Sequence, residues 1–598
     1  MKRKKFLVEK VLVTGYAAEG KSLAKVDGKV IFIEGAVPGD VVDVFVSTNK
    51  KDWGEGRATH FHELSKDRTI PFCKHFGICG GCKWQMLPYE HQLQYKQQEV
   101  IQNFRRIGKI DLPEMLPIAG AAETKYYRNK LDFSFSNKRY LSTEEIRNLP
   151  IAPPPPKGGI LVSADGKGFQ NSSQSNPLNQ QESIQINDQP NPATQEETIH
   201  SLALKAPLLG GGEAVGESNP AIHQENVNPR GFQIPLLGGG GAVVFNPATQ
   251  QETIHSLALK APLLEGFGEA VPLRGGGASP LGSAGALGFH VPRIFDKIID
   301  IQECYLMADV NNAIRNNIRD FALANHYSYY DIKQHTGWLR NIIIRNCSTG
   351  ELMVNICIGY KDEVETKRLM DYVLEKVPSI TTLLYTINTK WNDTIYDLTP
   401  VVYFGKGYVI EQLEGFKFKI GPKSFFQTNT KQAEKLYSIT RHFAGLTGTE
   451  TVYDLYCGTG SIGIFVSEHA KKIIGVEAIP EAIEDAKENA ALNNISHAEF
   501  FAGDVIKICN DEFFDKHGRP DVIITDPPRV GMHEKLVIKL LEIAAPKIVY
   551  VSCNTATQAR DLALLSEKYM VEKIQPVDMF PHTHHIECVV LLRLKAQA

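Results

Sequence analysis

The chain has 598 residues, of which 43% are hydrophobic and 22% charged, with a formal net charge of -3. That balance suits several buried cores at about 150 residues each, and it excludes a chain too polar to fold. No apolar run approaches the ~18 residues of a membrane span, the basic start lacks the apolar stretch of a secretory signal, and ten scattered cysteines make no disulfide framework, so a cytoplasmic location and no membrane partner are expected.

Residues 1–64 alternate short β-branched runs with Gly, Asp and Asn turns, as in KVLVTGYAAEG and VVDVFVSTNK, and predict a small antiparallel β-barrel. Residues 1–140 carry 24 Lys+Arg against 16 Asp+Glu, whereas 288–598 carry 34 against 39. A basic front points to a polyanionic partner. Within 65–140, PFCKHFGICGGCKWQ gathers Cys73, Cys79 and Cys82, with glycines that let the chain wrap tightly. A four-iron cluster needs a fourth thiolate, for which Cys304 is the candidate; zinc is the alternative.

Segment 141–287 has a different composition. It holds 20 of the 49 Gly and 16 of the 32 Pro, and NPATQEETIHSLALKAPLL at 191–209 recurs at 246–264 with one change, Glu196 to Gln251. Two copies separated by Gly and Pro predict a disordered, duplicated insertion. The chain on either side, 65–140 and 288–395, is expected to form a small α+β central domain, with a helix at VNNAIRNNIRDFALANH and strands at NIIIRNC, ELMVNICIG and TTLLYTINT.

From 396 to 598 strands and helices alternate, which predicts an α/β, Rossmann-like parallel sheet with helices on both faces. Cys457-Gly-Thr-Gly460 follows the first strand, and Asp454, Glu477, Asp504 and Asp526 each close a strand at one edge. A carboxylate there accepts ribose hydroxyls. No diphosphate cradle accompanies the glycines, which favours S-adenosylmethionine over a dinucleotide. Asp526-Pro-Pro-Arg529 makes a stiff loop beside that edge. Cys553, ending KIVYVSCN, is set among Ser552, Asn554 and Thr555, where a nucleophilic thiol would sit; inert packing is the bland alternative. Glu587 opens an apolar strand, where burial would raise its pKa toward that of a general base. His582, His584 and His585 read as a solvated loop.

The combination of SFFQTN (424–429), DLYCGTGS (454–461), VEA (476–478), DPPR (526–529), SCN (552–554) and HHIE (584–587) resembles the RNA uracil-5-methyltransferase family. Thr555 departs from it, since the family often has proline there. The resemblance implies that Cys553 adds to uracil C6, that Glu587 removes the C5 proton and that Asp526 holds the uracil edge. It also implies that Gln427, Tyr456, Ser461, Glu477 and Asp504 line a pocket for S-adenosyl-L-methionine. The front barrel resembles the RNA-binding TRAM domain, of oligonucleotide-binding type. Members with such a front half carry a [4Fe-4S] cluster, here on Cys73, Cys79, Cys82 and Cys304. That front half points to 23S ribosomal RNA as substrate, and a monomer is expected. The competing readings are a transfer RNA or dual-site enzyme, and an inactive RNA-binding assembly factor.

Overall fold

The computed structural model describes residues 5–113, 115–141 and 285–596. At the front, β1 (Phe6–Leu12), β2 (Gly15–Tyr16), β3 (Ser22–Val26), β4 (Lys29–Glu34), β5 (Val41–Asn49) and β6 (Trp53–Glu63) make one sheet in the order β1-β5-β6-β4-β3-β2. Alternation along the strands buries Ile31, Ile33, Val42, Val44 and Val46 in one cluster. The expected antiparallel barrel is corrected in two respects. β4 and β6 run parallel, with Val30 opposite Trp53, and among the described residues the edge strands β1 and β2 share no ladder. The cause is β6, whose 11 residues are long enough to pair with β5 on one side and β4 on the other. Gly56 permits this, because a Cβ there would lie 2.5 Å from the Phe45 carbonyl oxygen.

The central sheet contains β7 (Lys130–Ser136), β8 (Ala286–Val291), β9 (Ile294–Asp300), β10 (Leu339–Asn346), β11 (Leu352–Ile358), β12 (Thr382–Ile387) and β13 (Val401–Phe404), ordered β13-β12-β11-β10-β7-β8-β9. Ile342, Ile344, Val354 and Ile356 pack with Ile314 and Ile318 of helix Val310–Ala324 and with Leu369 of helix Glu363–Lys376. β13 pairs with β12, so this sheet extends past the expected boundary at 396.

The segment expected to be an insertion lies outside the described residues between 142 and 284. Its flanks are neighbours: Ser136 pairs with Ala286 across β7 and β8, and the Tyr140 amide donates to the Ile298 carbonyl at 2.8 Å. The expected end at 287 moves back, because Ala286 and Leu287 already belong to β8. Joining two adjacent antiparallel strands needs only a short loop. Replacing 142–284 with a short Gly/Ser linker is therefore expected to leave the thermal midpoint of the remaining chain within a few degrees of the parent. A large drop in a calorimetric scan would contradict this.

The last sheet contains β16 (Thr451–Leu455), β17 (Lys472–Glu477), β18 (Ala498–Ala502), β19 (Val522–Thr525), β20 (Lys547–Ser552), β21 (Tyr569–Val577) and β22 (Glu587–Leu594), ordered β18-β17-β16-β19-β20-β22-β21. Five strands are parallel, as the alternation predicts. β21 points the same way as these five, and β22 alone is reversed, antiparallel to both β20 and β21. Its near-continuous apolar run is buried on both faces, as an internal strand requires. Val452, Ile473, Ile524, Val549 and Val589 face one apolar cluster and Tyr453, Ile474, Ile523, Tyr550 and Val590 the other. Between this sheet and the central one, β14 (Val409–Leu413) and β15 (Phe416–Ile420) form a two-stranded hairpin.

Residues 65–140 are assigned by the sequence to the central domain, and within them Tyr89–Asn103 forms a helix. That helix docks instead on the last sheet, where Val100 and Phe104 join the cluster of Ile548 and Leu562. Fully burying each such side chain contributes about 1.5–3 kcal/mol. A buried ion pair fixes the contact: Lys96 Nζ lies 2.6 Å from Asp578 Oδ1, with both side chains at 0% exposure. Among the described residues no helix is long and apolar enough to cross a membrane.

Candidate active site

The expected nucleophile and base meet because of β22. The register that pairs Ser552 with Cys588 sets the next residues, Cys553 and Glu587, opposite each other at the end of the β20–β22 ladder. Asp526 follows β19, the other neighbour of β20, so it ends at the same edge. Burial pushes the Cys553 thiol up to about 12, with Glu587 and Asp526 adding to the rise and Arg529 opposing it. Burial, and then Asp526, hold the Glu587 carboxyl well above the usual carboxylate range. Burial raises Asp526 to about 7. The site thus gathers a thiol, two carboxyls biased toward their neutral form and one guanidinium, a set suited to proton transfer.

Asn554 holds the two motif loops together. Its side chain caps helix Thr555–Leu565 by accepting from the Ala556 and Thr557 amides, and its Nδ2 donates to the Arg529 carbonyl at 3.0 Å. Substitution of this one residue would free both the Asp526–Arg529 loop and the turn carrying Cys553. Thr555 stands at the first helical position, where proline is also tolerated, and its Oγ1 accepts from Asn103 Nδ2 at 2.8 Å. The departure at 555 is therefore compatible with the helix start.

On the cofactor side, Glu477 ends β17 and accepts from the Gly458 amide at 3.2 Å. Tyr456 takes a left-handed backbone (φ 63°), as do Gly458 and Gly460. A tyrosine in that region is strained, a feature that concentrates at ligand sites. Asp454 is fully buried and pushed up to about 7 by burial; one oxygen accepts from the Gly463 amide at 2.8 Å and the other has no partner. Ser461 Oγ lies 3.0 Å from the hydroxyl of the buried Tyr437. Asp504 caps helix Val505–Ile508 by accepting from the Ile506 amide. Gln427 lies on the 421–429 segment, which is fastened at both ends: Ser424 donates to Asp485 at 2.7 Å, and Asn429 Nδ2 to the Met579 carbonyl at 2.8 Å. This segment also carries Phe425, 71% exposed, a residue of the SFFQTN motif to which the sequence assigns no role.

The 578–587 turn that delivers Glu587 is braced by the front of the chain. The Lys83 and Trp84 amides donate to the His582 carbonyl at 2.7 and 3.1 Å, Gln92 Oε1 accepts from the His582 amide at 2.9 Å, and the Tyr127 hydroxyl donates to the Pro581 carbonyl. The histidine loop is not solvated, as had been expected. His582 is 7% exposed, and burial pushes His582 and His584 down to about 4 and His585 to about 3. They are neutral packing groups, and His585 Nδ1 lies 3.3 Å from Arg529 Nη2.

Cys73, Cys79, Cys82 and Cys304 approach one another from two chain segments. Burial, with contributions from the other three thiols, pushes Cys82 up to about 12. Gly80 makes the approach possible, since a Cβ there would lie 2.3 Å from Pro292 Cγ. Yet among the described residues no group of three or more His, Cys, Asp or Glu is spaced to hold a metal ion.

Residues 401–595 match the family model described as tRNA (Uracil-5-)-methyltransferase. The chain is 43% identical to an RNA methyltransferase of Bacteroides thetaiotaomicron, over 97% of this chain and 100% of that protein. It is 40% identical to one from Porphyromonas gingivalis, over 97% and 98%. The solved structure of Pyrococcus abyssi tRNA (uracil-54, C5)-methyltransferase, in complex with S-adenosyl-L-homocysteine, is similar in fold at 20% identity and TM-score 0.56, covering 98% of this chain and all of that one.

Proposed function

The chain belongs to the RNA (uracil-C5)-methyltransferase family, and on that premise we propose that it transfers a methyl group from S-adenosyl-L-methionine to C5 of a uridine in RNA through a covalent Cys553 adduct. The juxtaposition of Cys553 and Glu587 across the β20–β22 ladder carries the reading. Uracil C5 is a feeble nucleophile. When the Cys553 sulfur bonds to C6, the C5=C6 electron pair becomes an enolate that attacks the methyl carbon, and the sulfonium leaves as a neutral thioether. Glu587 then takes the C5 proton, and the returning electron pair expels the thiolate. Burial holds both carboxyls toward the neutral form, and a cationic co-substrate beside them favours the ionised form that a base needs. Gln427, Tyr456, Ser461, Glu477 and Asp504 are proposed to line the co-substrate pocket, and Asp526 to hold the uracil edge. The target base must be flipped out of its stack to reach this edge.

Two RNAs compete as substrate. The front sheet, proposed to bind RNA as a TRAM-type module, does not select 23S ribosomal RNA, because the enzyme named for transfer RNA aligns over its whole length with nearly all of this chain. That similarity favours transfer RNA. Nucleoside mapping of both RNAs from a strain lacking the gene decides the matter: 5-methyluridine is expected to vanish from one position of transfer RNA. Loss confined to 23S ribosomal RNA would reverse the choice of substrate, and loss from neither would count against the proposal.

An iron centre on Cys73, Cys79, Cys82 and Cys304 is proposed as well, supported by the resemblance of the front half and by the electrostatic influence of the other three thiols on Cys82. Anaerobically purified protein is expected to hold about four irons. Cys304→Ser should lose most of them. One zinc and no iron would refute the proposal.

A further inference from the structure

Two large aromatic side chains outside the reaction centre stand almost free of the protein, Trp391 at 77% and Tyr396 at 70% exposure. Both lie between β12 and β13, on a loop that is held firmly. The buried Arg340 guanidinium, on β10, donates to the carbonyls of Asn388, Lys390 and Asn392 at 2.7, 2.5 and 2.9 Å and pairs with the Asp393 carboxylate at 2.8 Å. The Asn388 side chain donates to the Asn392 carbonyl and accepts from the Lys390 amide. Ile395 is buried against Ile343 and Cys357. A backbone fixed by a buried cation thus turns two of its largest apolar rings outward, an arrangement that packing does not require.

The rings are poised for a planar partner. The imidazole of His335 stacks on one face of the Trp391 indole, with centroids 4.8 Å apart and planes 7° from parallel. The exposure of Trp391 leaves its opposite face to solvent. Lys423 Nζ donates to the Tyr396 and Leu398 carbonyls at 3.0 and 3.2 Å. That lysine belongs to the 421–429 segment, which carries Gln427 and the exposed Phe425, so the aromatic loop is tied to a segment of the candidate active site.

We propose that Trp391 and Tyr396 form a stacking platform for unpaired nucleotides of the RNA that flank the target uridine. The inference rests on the RNA methyltransferase reading and adds where the flanking strand lies. Every base presents a π-face, so such a platform is tolerant of sequence. Local cations are spent on protein groups, Lys423 on the two carbonyls and Lys390 on Asp397 and Thr394. The platform therefore contributes stacking and little charge.

The test uses the full chain and a 12-nucleotide oligoadenylate. Of the other three tryptophans, Trp84 and Trp338 are buried and Trp53 is about half as exposed as Trp391. Intrinsic fluorescence of the parent should be quenched on binding. Trp391→Ala and Tyr396→Ala should each weaken binding by about tenfold, with the slope of affinity against salt unchanged. Trp391→Phe should keep affinity within about twofold while losing most of the quenching, and the same variants should not alter binding of a blunt RNA duplex. Parental affinity in both alanine variants, or no quenching in the parent, overturns the platform. Methyl transfer to RNA by variants of unaltered affinity would remove the platform and leave the transferase reading. A parent that stacks the oligonucleotide but methylates no RNA would remove that reading alone.

Discussion

Cys553→Ala should abolish methyl transfer, by at least about 10⁴-fold, and leave RNA binding near the parental level, because the thiolate is needed for C6 addition and not for docking. Glu587→Gln should fail differently. Burial already holds the Glu587 carboxyl toward its neutral form, and glutamine mimics that form in shape, so the fold should be retained. Addition and methylation should proceed, but the C5 proton has no acceptor and the adduct cannot resolve. A protein–RNA species stable to denaturing electrophoresis should accumulate with Glu587→Gln and be missing with Cys553→Ala. Rapid release by Glu587→Gln would assign the proton acceptor elsewhere, with the neighbouring Asp526 as the next candidate.

The second large effect concerns stability. Lys96 and Asp578 lie at 0% exposure, and Asp578 also accepts from the Tyr89 hydroxyl at 2.7 Å. Burial pulls the Lys96 pKa down while Asp578 opposes it. Lys96→Met leaves a carboxylate stranded in the interior, a loss of about 3–5 kcal/mol for a buried pair broken from one side. Denaturant titration should show the unfolding free energy fall by that amount, and methyl transfer should fall too, since Asp578 begins the turn that delivers Glu587. The double variant Lys96→Met, Asp578→Leu removes both charges and should recover much of the stability. A single variant as stable as the parent would show that the pair is not closed in solution.

The strands and helices of the last sheet were legible because short continuous apolar runs, helical stretches and glycine turns act locally. Cys553 and Glu587 could be picked out singly for the same reason. Their meeting could not, because an alternating pattern predicts parallel neighbours and says nothing of a final strand inserted antiparallel between β20 and β21. The docking of helix Tyr89–Asn103 was hidden for a similar reason: Lys96 reads as a surface charge until Asp578, 482 residues away, neutralises it. The histidines at 582, 584 and 585 looked solvated because their burial depends on Lys83, Trp84 and Gln92 from the front of the chain. The parallel pairing of β4 with β6 depends on a strand long enough to serve two partners, which composition does not reveal. Trp391 and Tyr396 were passed over because exposure is a property of the fold.

The central claim is attack by Cys553 at C6 followed by methylation at C5. The most direct measurement is tritium release from RNA labelled with [5-³H]uridine, incubated with the purified protein and S-adenosyl-L-methionine. One tritium should enter water for each methyl group transferred, with none released by Cys553→Ala. Methyl transfer without tritium release, or release that survives loss of the thiol, would contradict it.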